Sequence, residues 1–245
     1  MAYGIQWLRS LIFIIQMYVV MAIMGVVYLP GAILSTQGAY KALHAYCRWV
    51  RWTAQWMVGL RSEVRGTPPE DEVLVAAKHQ SFFDILIIFG SLPRPKFIMK
   101  RQLRWAPILG WYAQRIGCIL VDRGKRGVAM SKMVDDVKAG RALPGQLVIY
   151  PQGTRVAPGV PRPYKVGTGV LYSQLGQDCV PAATNVGVFW PRHGIYRKPG
   201  LAVVEFLPRI KAGLAQGAFM ERLETEIEGA SDQLMAEAGF KGPGT

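Results

Sequence analysis

The stretch VLVAAKHQSFFDILIIF, residues 73–89, decides the fold class of this chain. Its first five residues form a short apolar run that predicts a strand, and residues 82–89 predict a helix directly after it. The same alternation recurs downstream, which indicates an α/β fold with a central mixed sheet flanked by helices. Further strands are predicted at residues 97–99, 118–121, 147–150, 180–188 and 201–206, and further helices at residues 107–115, 128–139 and 166–175.

The N-terminal part of the chain has the composition of a membrane segment. Residues 11–29 contain one strongly polar side chain, Gln16, and no charge. As a helix this run reaches about 28 Å, close to the hydrocarbon thickness of a bilayer. A secretory signal peptide is disfavoured because its apolar region would be shorter, and because Pro30-Gly31 ends the run without a convincing cleavage site.

A second helix is predicted at residues 40–57, with a polar face, an apolar face and tryptophans between them. Tryptophan rings beside basic residues are typical of a lipid headgroup layer. We therefore expect a membrane-embedded two-helix element, with an ordinary amphipathic helix docked on the globular core as the alternative. The polar face and the tryptophans consist of His44, Arg48, Arg51, Gln55, Trp49, Trp52 and Trp56.

A turn-rich stretch at residues 61–71, which contains Gly66-Thr67-Pro68-Pro69, separates this element from the rest of the chain. We expect a membrane-anchoring helix pair at residues 1–60 and an α/β domain at residues 61–245. The tail from Ala212 onward has six acidic and two basic residues and an apolar helical face. A solvated capping helix is predicted there.

The charge balance narrows the class of partner. The 29 Lys and Arg residues exceed the 16 Asp and Glu residues by 13, so the protein should seek anionic surroundings. Nine basic residues and one acid lie within residues 92–126, interleaved with apolar side chains, a pattern that suits anionic headgroups. Nucleic acid is disfavoured because the chain has no recognisable reader module and begins with a membrane segment. Three cysteines without metal-ligand spacing argue against a zinc site or a disulfide scaffold.

The transition from strand to helix after residue 77 carries the first candidate for chemistry. Ser81 can cap the helix, and Asp84 is the acid expected in its first turn. His79 then lies just before the cap, where the Asp84 carboxylate can meet its ring. A histidine with a carboxylate behind it is a general base suited to taking a proton from an alcohol. The alternative is that Asp84 only caps the helix and His79 is an exposed loop residue.

Two further candidates follow predicted strands. After residues 147–150 comes Gln152-Gly153-Thr154-Arg155, in which glycine permits close backbone approach and arginine offers a fork for phosphate oxygens. After residues 118–121 comes Arg123, a second arginine at a strand end. Each pattern alone is also typical of an ordinary turn or a solvated side chain.

Taken together, the order and spacing of these blocks resemble the glycerolipid acyltransferases, most closely the bacterial 1-acyl-glycerol-3-phosphate acyltransferases. The resemblance covers roughly residues 73–190, and the blocks are His79-x4-Asp84, Gly117 to Arg123, Tyr150 to Arg155 and Val180-Pro181. It implies an acyltransferase domain that moves an acyl group from acyl carrier protein or coenzyme A to the sn-2 hydroxyl of lysophosphatidic acid, giving phosphatidic acid. It implies no metal, no bound cofactor and no covalent intermediate. Basic residues are in excess after the apolar run of residues 11–29, which favours a location at the cytoplasmic face of the inner membrane.

The resemblance also implies roles for individual residues. His79 is the expected base and Asp84 its orienting carboxylate. The acceptor is expected to be held by Arg123, Gln152, Gly153, Thr154 and Arg155. Backbone N–H groups near the start of the helix after Ser81 are hypothesised to stabilise the developing oxyanion.

The sequence departs from the family pattern at two positions. Lys78 stands where an asparagine often precedes the histidine, and Gln152 stands where a glutamate is usual. Glutamine keeps a carbonyl acceptor but loses the negative charge, so an ionic role at that position is not available. Two alternatives therefore remain: an acyltransferase for another acceptor, such as glycerol-3-phosphate or a lyso-aminolipid, and a non-catalytic phospholipid-binding relative.

Overall fold

In a computed structural model, which describes residues 2–121, 131, 134–135 and 143–242, helices alternate with strands as the sequence predicts. The helices are α1 (Ala2–Val27), α2 (Leu29–Leu34), α3 (Thr36–Val58), α4 (Phe83–Ser91), α5 (Leu109–Arg115), α6 (Gly167–Leu175) and α7 (Gln216–Glu237). The strands are β1 (Leu60–Arg65), β2 (Leu74–Ala77), β3 (Lys96–Lys100), β4 (Ile119–Val121), β5 (Leu147–Ile149), β6 (Cys179–Thr184) and β7 (Gly200–Phe206). Arg123 and most of the helix predicted at residues 128–139 lie outside the described residues.

The described strands form one mixed sheet in the order β1-β7-β6-β2-β5-β3-β4, which confirms the predicted fold class. The strands from β6 to β4 in this order are parallel, β7 runs antiparallel to β6, and β1 runs parallel to β7. Because the carboxyl ends of parallel strands meet at one edge, the loops that follow β2 and β5 emerge side by side. These loops carry His79 and Gln152.

Strand β2 lies near the middle of the sheet and is buried on both faces. Val75 and Ala77 belong to a core shared with α3 and α4, whereas Leu74 and Ala76 belong to a core shared with α6 and α7. The alternation follows from the two-residue period of a strand, and it explains the continuous apolar run of the sequence. A strand covered on both faces provides a rigid base for the loop that follows it.

Helices α1 and α3 pack antiparallel and share a core with the sheet. The Gln6 side chain donates to the Val58 carbonyl at 2.9 Å, and the Gln16 side chain donates to Thr53 Oγ1 at 3.1 Å. Helix α1 is long and apolar enough to cross a membrane by length and composition, and most of it is exposed. Helix α3 docks on α4 and β1, which is the alternative considered for this helix, yet Trp52 stays 56% exposed.

Two strands differ from the sequence prediction, and the short helix α2 was not predicted. Strand β1 falls where a turn-rich boundary was expected. Four of its six residues are polar, a composition that a strand at the sheet edge tolerates. Strand β6 ends at Thr184, because the Asn185 side chain bonds the backbone of Leu201, Val203 and Leu234 instead of continuing the strand.

The C-terminal helix and its apolar face are confirmed, but the helix is more than a solvated cap. Helix α7 packs on β6 and buries one whole face, because its apolar residues recur at helical spacing. The buried side chains of that face are Phe219, Leu223, Ile227, Ser231, Leu234 and Met235. This packing brings the acidic residues at the margin of the face towards the loops at the carboxyl edge of the sheet.

Candidate active site

The loop between β2 and α4 brings His79 and Asp84 together. His79 Nδ1 lies 2.9 Å from Asp84 Oδ1, and the carboxylate is fully buried. The other carboxylate oxygen, Oδ2, accepts the backbone N–H groups of Gln80 at 2.8 Å and Ser81 at 2.7 Å. Asp84 therefore holds His79 and the loop before α4 at the same time. The helix begins later than predicted, because its N-cap is Phe82 rather than Ser81. The alternative, in which Asp84 only caps the helix and His79 is an exposed loop residue, is wrong.

This arrangement fixes the tautomer of His79. A carboxylate can only accept a hydrogen bond. Nδ1 of His79 therefore carries the hydrogen and donates to Asp84, and Nε2 presents a lone pair. The His79 side chain is 12% exposed, which leaves part of the ring accessible. The geometry is that of a general base whose orientation is set by a buried acid.

Tyr150 is a member of the site that the sequence reasoning did not single out. Its ring stacks on His79 with centroids 4.0 Å apart and planes 18° from parallel. Its hydroxyl lies 3.5 Å from Asp84 Oδ1. Burial, and then the nearby carboxylate, raise the pKa of Tyr150 well above its usual value, so the phenol stays neutral. The signal that could have found it is sheet register, because Ala76 pairs with Ile149 and places Tyr150 beside the residues that lead to His79.

The turn after β5 lies against the His79 loop. Gly153 adopts a φ of +68°, a left-handed backbone conformation that favours glycine. Two residues after Thr154, the Val156 N–H donates to the His79 carbonyl at 2.8 Å. The predicted residues Gly153, Thr154 and Arg155 thus sit beside the candidate base.

Arg155 meets a second arginine from a distant part of the chain. Arg155 Nη1 donates to the Arg192 carbonyl at 3.3 Å, and Arg192 Nη1 donates to the Arg155 carbonyl at 3.4 Å. Two guanidinium groups tied to each other's backbone make a cationic edge next to the site, suited to an anionic group. Arg192 was missed because 37 residues separate it from Arg155.

Gln152 occupies a different environment from its neighbours. It is 1% exposed, and its Nε2 donates to the Arg162 carbonyl at 3.2 Å. The same nitrogen lies 3.5 Å from Glu228 Oε1, which also accepts from the Tyr164 hydroxyl at 2.8 Å. The other oxygen of Glu228 binds the buried ammonium of Lys78. The prediction that Gln152 touches the acceptor is untested, and its described contacts are with these protein groups.

The backbone donors near the start of α4 are already engaged. Gln80 and Ser81 donate to Asp84, and Phe83 donates to Ser81 Oγ at 3.2 Å. These three groups are therefore already engaged within the loop, and the hypothesis that backbone N–H groups near this helix start stabilise the oxyanion stays a prediction. Within the described residues, no group of three or more histidine, cysteine or acidic side chains could hold a metal ion.

Comparison with known proteins gives one family. A sequence model of the acyltransferase family matches residues 61–185. A 1-acyl-sn-glycerol-3-phosphate acyltransferase of Pseudomonas aeruginosa is 25% identical over 237 residues, which cover 95% of this chain and 92% of that protein. The human 1-acyl-sn-glycerol-3-phosphate acyltransferase alpha is 34% identical over 131 residues, 52% of this chain and 46% of that protein.

Two further similarities concern the acceptor and the fold. A lyso-ornithine lipid O-acyltransferase of P. aeruginosa is 33% identical over 110 residues, 44% of this chain and 40% of that protein. The crystal structure of the 1-acyl-sn-glycerophosphate acyltransferase from Thermotoga maritima superposes with a TM-score of 0.81 over 96% of this chain and 100% of that one. At 18% identity, this similarity shows a shared fold.

Proposed function

The chain belongs to the acyltransferase family, and from that premise we propose that it transfers an acyl group to the free hydroxyl of lysophosphatidic acid, giving phosphatidic acid. The observation that carries this proposal is the contact between His79 and the buried Asp84. The relative that matches nearly the whole chain is named for the same reaction. The site also has the basic character that a phosphorylated acceptor needs.

The reaction follows from the position of the base. His79 Nε2 takes the proton of the acceptor hydroxyl as its oxygen attacks the thioester carbonyl carbon. Asp84 stabilises the imidazolium that forms. Collapse of the tetrahedral intermediate breaks the carbon–sulfur bond and returns the proton from Nε2 to the leaving thiolate. An ester and a free thiol result, without a covalent enzyme intermediate.

We propose coenzyme A or acyl carrier protein as the thiol of the donor. Both are anionic, and the excess of 13 positive charges favours their approach. Arg155, together with Arg123 and the Gly153-Thr154 turn, is proposed to hold the acceptor phosphate. Arg155 supports this role through its position beside the His79 loop.

Membrane association follows from the exposed apolar surface of α1 and the tryptophan edge of α3. Helix α1 is bound to the rest of the protein near both ends, because Gln6 donates to Val58 and the Tyr112 hydroxyl donates to the Gly25 carbonyl at 2.9 Å. We therefore propose that α1 embeds in one leaflet alongside the α/β domain rather than leaving it to cross the bilayer. The basic residues that follow the apolar run support a cytoplasmic location.

The direct test uses the purified protein in detergent or in vesicles, with acyl-coenzyme A and acyl carrier protein thioesters as the two donors. Lysophosphatidic acid should be converted to phosphatidic acid, and H79A should abolish conversion while remaining folded. Unchanged turnover by H79A would remove the base assignment. Absence of turnover with either donor would favour the non-catalytic phospholipid-binding alternative.

A second acceptor is favoured by one observation, the similarity to an acyltransferase that is named for a lyso-ornithine lipid. A panel of lysophosphatidic acid, glycerol-3-phosphate and a lyso-aminolipid separates these alternatives. The proposed function requires the highest kcat/KM for lysophosphatidic acid.

A further inference from the structure

Resting on the proposed function, we propose that Glu228 is a positioning residue for the acyltransferase site, which it serves from the distant C-terminal helix α7. Glu228 binds side chains from both loops that build the site: Lys78, next to His79, and Gln152, next to Gly153. A carboxylate 150 residues from Lys78 thereby sets the relative position of the candidate base and the acceptor turn.

The contact with Lys78 is a strong constraint. The Lys78 side chain is 3% exposed, and Glu228 is 30% exposed. An ammonium group buried to this degree requires a charged, hydrogen-bonded partner. Lys78 is held from its backbone as well, because its N–H donates to the Ala182 carbonyl at 2.9 Å. The residue before His79 is therefore fixed at two points.

Helix α7 supports the other side of His79 as well. Met235 lies two helical turns after Glu228 and on a neighbouring part of the same face, and its sulfur accepts from Gln80 Nε2 at 3.4 Å. The side-chain oxygen of Gln80, Oε1, accepts a hydrogen bond from the Gly187 N–H at 2.9 Å. Lys78 and Gln80, which flank His79, are thus both bound by one helix.

The contacts of Glu228 also explain why a neutral residue stands at position 152. The Gln152 amide turns its NH2 group towards two acceptors, the Arg162 carbonyl and Glu228 Oε1. Within the described residues, its Oε1 is buried without a hydrogen-bond partner. A glutamate at this position would place a second carboxylate about 3.5 Å from that of Glu228, and like charges at that separation in a buried site repel strongly. The negative charge of this cluster is therefore supplied by α7 rather than by the turn.

This charge arrangement predicts a specific pattern of activities. E228Q should lower kcat about 10- to 100-fold, because small displacements of a reacting group have effects of that size. The KM for the acceptor should change less than about threefold, as expected for a residue that acts by positioning the base rather than by binding the acceptor. Q152E alone should also lower kcat, because two carboxylates then face each other. The double variant Q152E/E228Q restores a single carboxylate to the cluster, and its kcat should recover to within about fivefold of wild type.

The matched control is E221Q, the same chemical change at an exposed position of the same helix. It should leave kcat and KM unchanged. Thermal unfolding of every variant separates loss of fold from loss of positioning. If E228Q does not fold, K78M/E228M removes both charges of the pair, a replacement that proteins often tolerate. This variant should fold and still show a reduced kcat.

Two results would overturn the proposal: a wild-type kcat in folded E228Q or K78M/E228M, or a double variant Q152E/E228Q no better than E228Q. These outcomes differ from failure of the proposed function, in which the wild-type protein itself makes no phosphatidic acid. If the wild type prefers another acceptor of the panel, the same variants are compared on that acceptor.

Discussion

Asp84 uses its two carboxylate oxygens for two tasks: Oδ1 lies 2.9 Å from His79 Nδ1, and Oδ2 accepts the backbone N–H groups of Gln80 and Ser81. The same side chain thus ends the loop and orients the candidate base. Because the carboxylate is fully buried, neither task can be taken over by water. The two tasks can be separated by two different substitutions.

The first prediction concerns catalysis. D84N keeps an acceptor oxygen for the backbone, but its NH2 group favours the wrong tautomer of His79. We expect kcat to fall about 10²- to 10⁴-fold, the range of general base catalysis, with little change in thermal stability. Steady-state kinetics with lysophosphatidic acid measures this, and a kcat within threefold of wild type would contradict the orienting role.

The second prediction concerns stability. D84A leaves two buried backbone N–H groups and the His79 ring without an acceptor, and each unsatisfied group costs about 1 to 3 kcal/mol. We expect D84A to lower the free energy of unfolding by about 3 kcal/mol, clearly more than H79A. Chemical denaturation of the two variants measures the difference. Equal stabilities of D84A and H79A would show that the hydrogen bonds from the Gln80 and Ser81 N–H groups to Asp84 contribute little.

The third prediction tests the stacking of Tyr150 on His79. Y150F keeps the ring and loses only a hydroxyl 3.5 Å from Asp84, so its kcat should stay within about threefold. Y150A removes the ring, and its kcat should fall about tenfold, as expected from the energy of an aromatic pair. Because the pKa of Tyr150 is raised, its phenol should stay neutral during turnover, and the pH–rate profile of the wild type should match that of Y150F, which has no ionisable group at this position. A larger loss in Y150F than in Y150A would contradict a role in stacking.

The fourth prediction concerns the phosphate. If Arg155 holds an anionic acceptor, R155A should raise the KM for lysophosphatidic acid about 10- to 100-fold, as for the loss of a charged hydrogen bond. Arg192 is bound to Arg155 through two backbone contacts, so R192A should raise the same KM by a smaller factor. An acceptor without a phosphate serves as the control, and its KM should not respond. An equal response to both acceptors would argue against phosphate binding.

The fifth prediction concerns the membrane. Trp52 and Trp56 are each 56% exposed on α3, and burial of a large apolar side chain contributes about 2 kcal/mol. We expect W52A/W56A to lower binding to anionic vesicles at least about tenfold. Leu214 is 38% exposed and lies two residues before α7, on the opposite face of the sheet, and it provides the control L214A. Flotation assays at matched lipid concentrations measure both, and an equal loss would point to general destabilisation.

The sequence predicted most of this fold because the strands are strongly patterned. Strand β2 is apolar on both faces, and every predicted strand has a counterpart, although the strand predicted at residues 180–188 ends at Thr184. Strand β1 was missed because an edge strand keeps polar side chains on its exposed face, which resembles a charged linker. The C-terminal helix was predicted as a helix, but the sequence of its buried face does not indicate which loops the helix contacts.

The contact between His79 and Asp84 was within reach of the sequence, since five residues and one helix start fix their relation. The sequence could not predict that Tyr150, Arg192 and Glu228 lie at the site, because each belongs to a different part of the chain. These residues lie far along the chain from His79, and a single sequence does not indicate which distant residues come into contact. The register of parallel strands and the docking of α7 decide which of them meet.

The sequence by itself determined the class of this protein: an α/β sheet, an apolar N-terminal helix, and a histidine with its carboxylate at a helix start. These features depend on local periodicity and on short-range hydrogen bonds, which the order of residues specifies directly. Only the tertiary structure decided how the charge of the site is arranged. The ammonium of Lys78 and the amide of Gln152 share the carboxylate of Glu228 because packing of an apolar helix face, not their own sequence, brings that carboxylate to them.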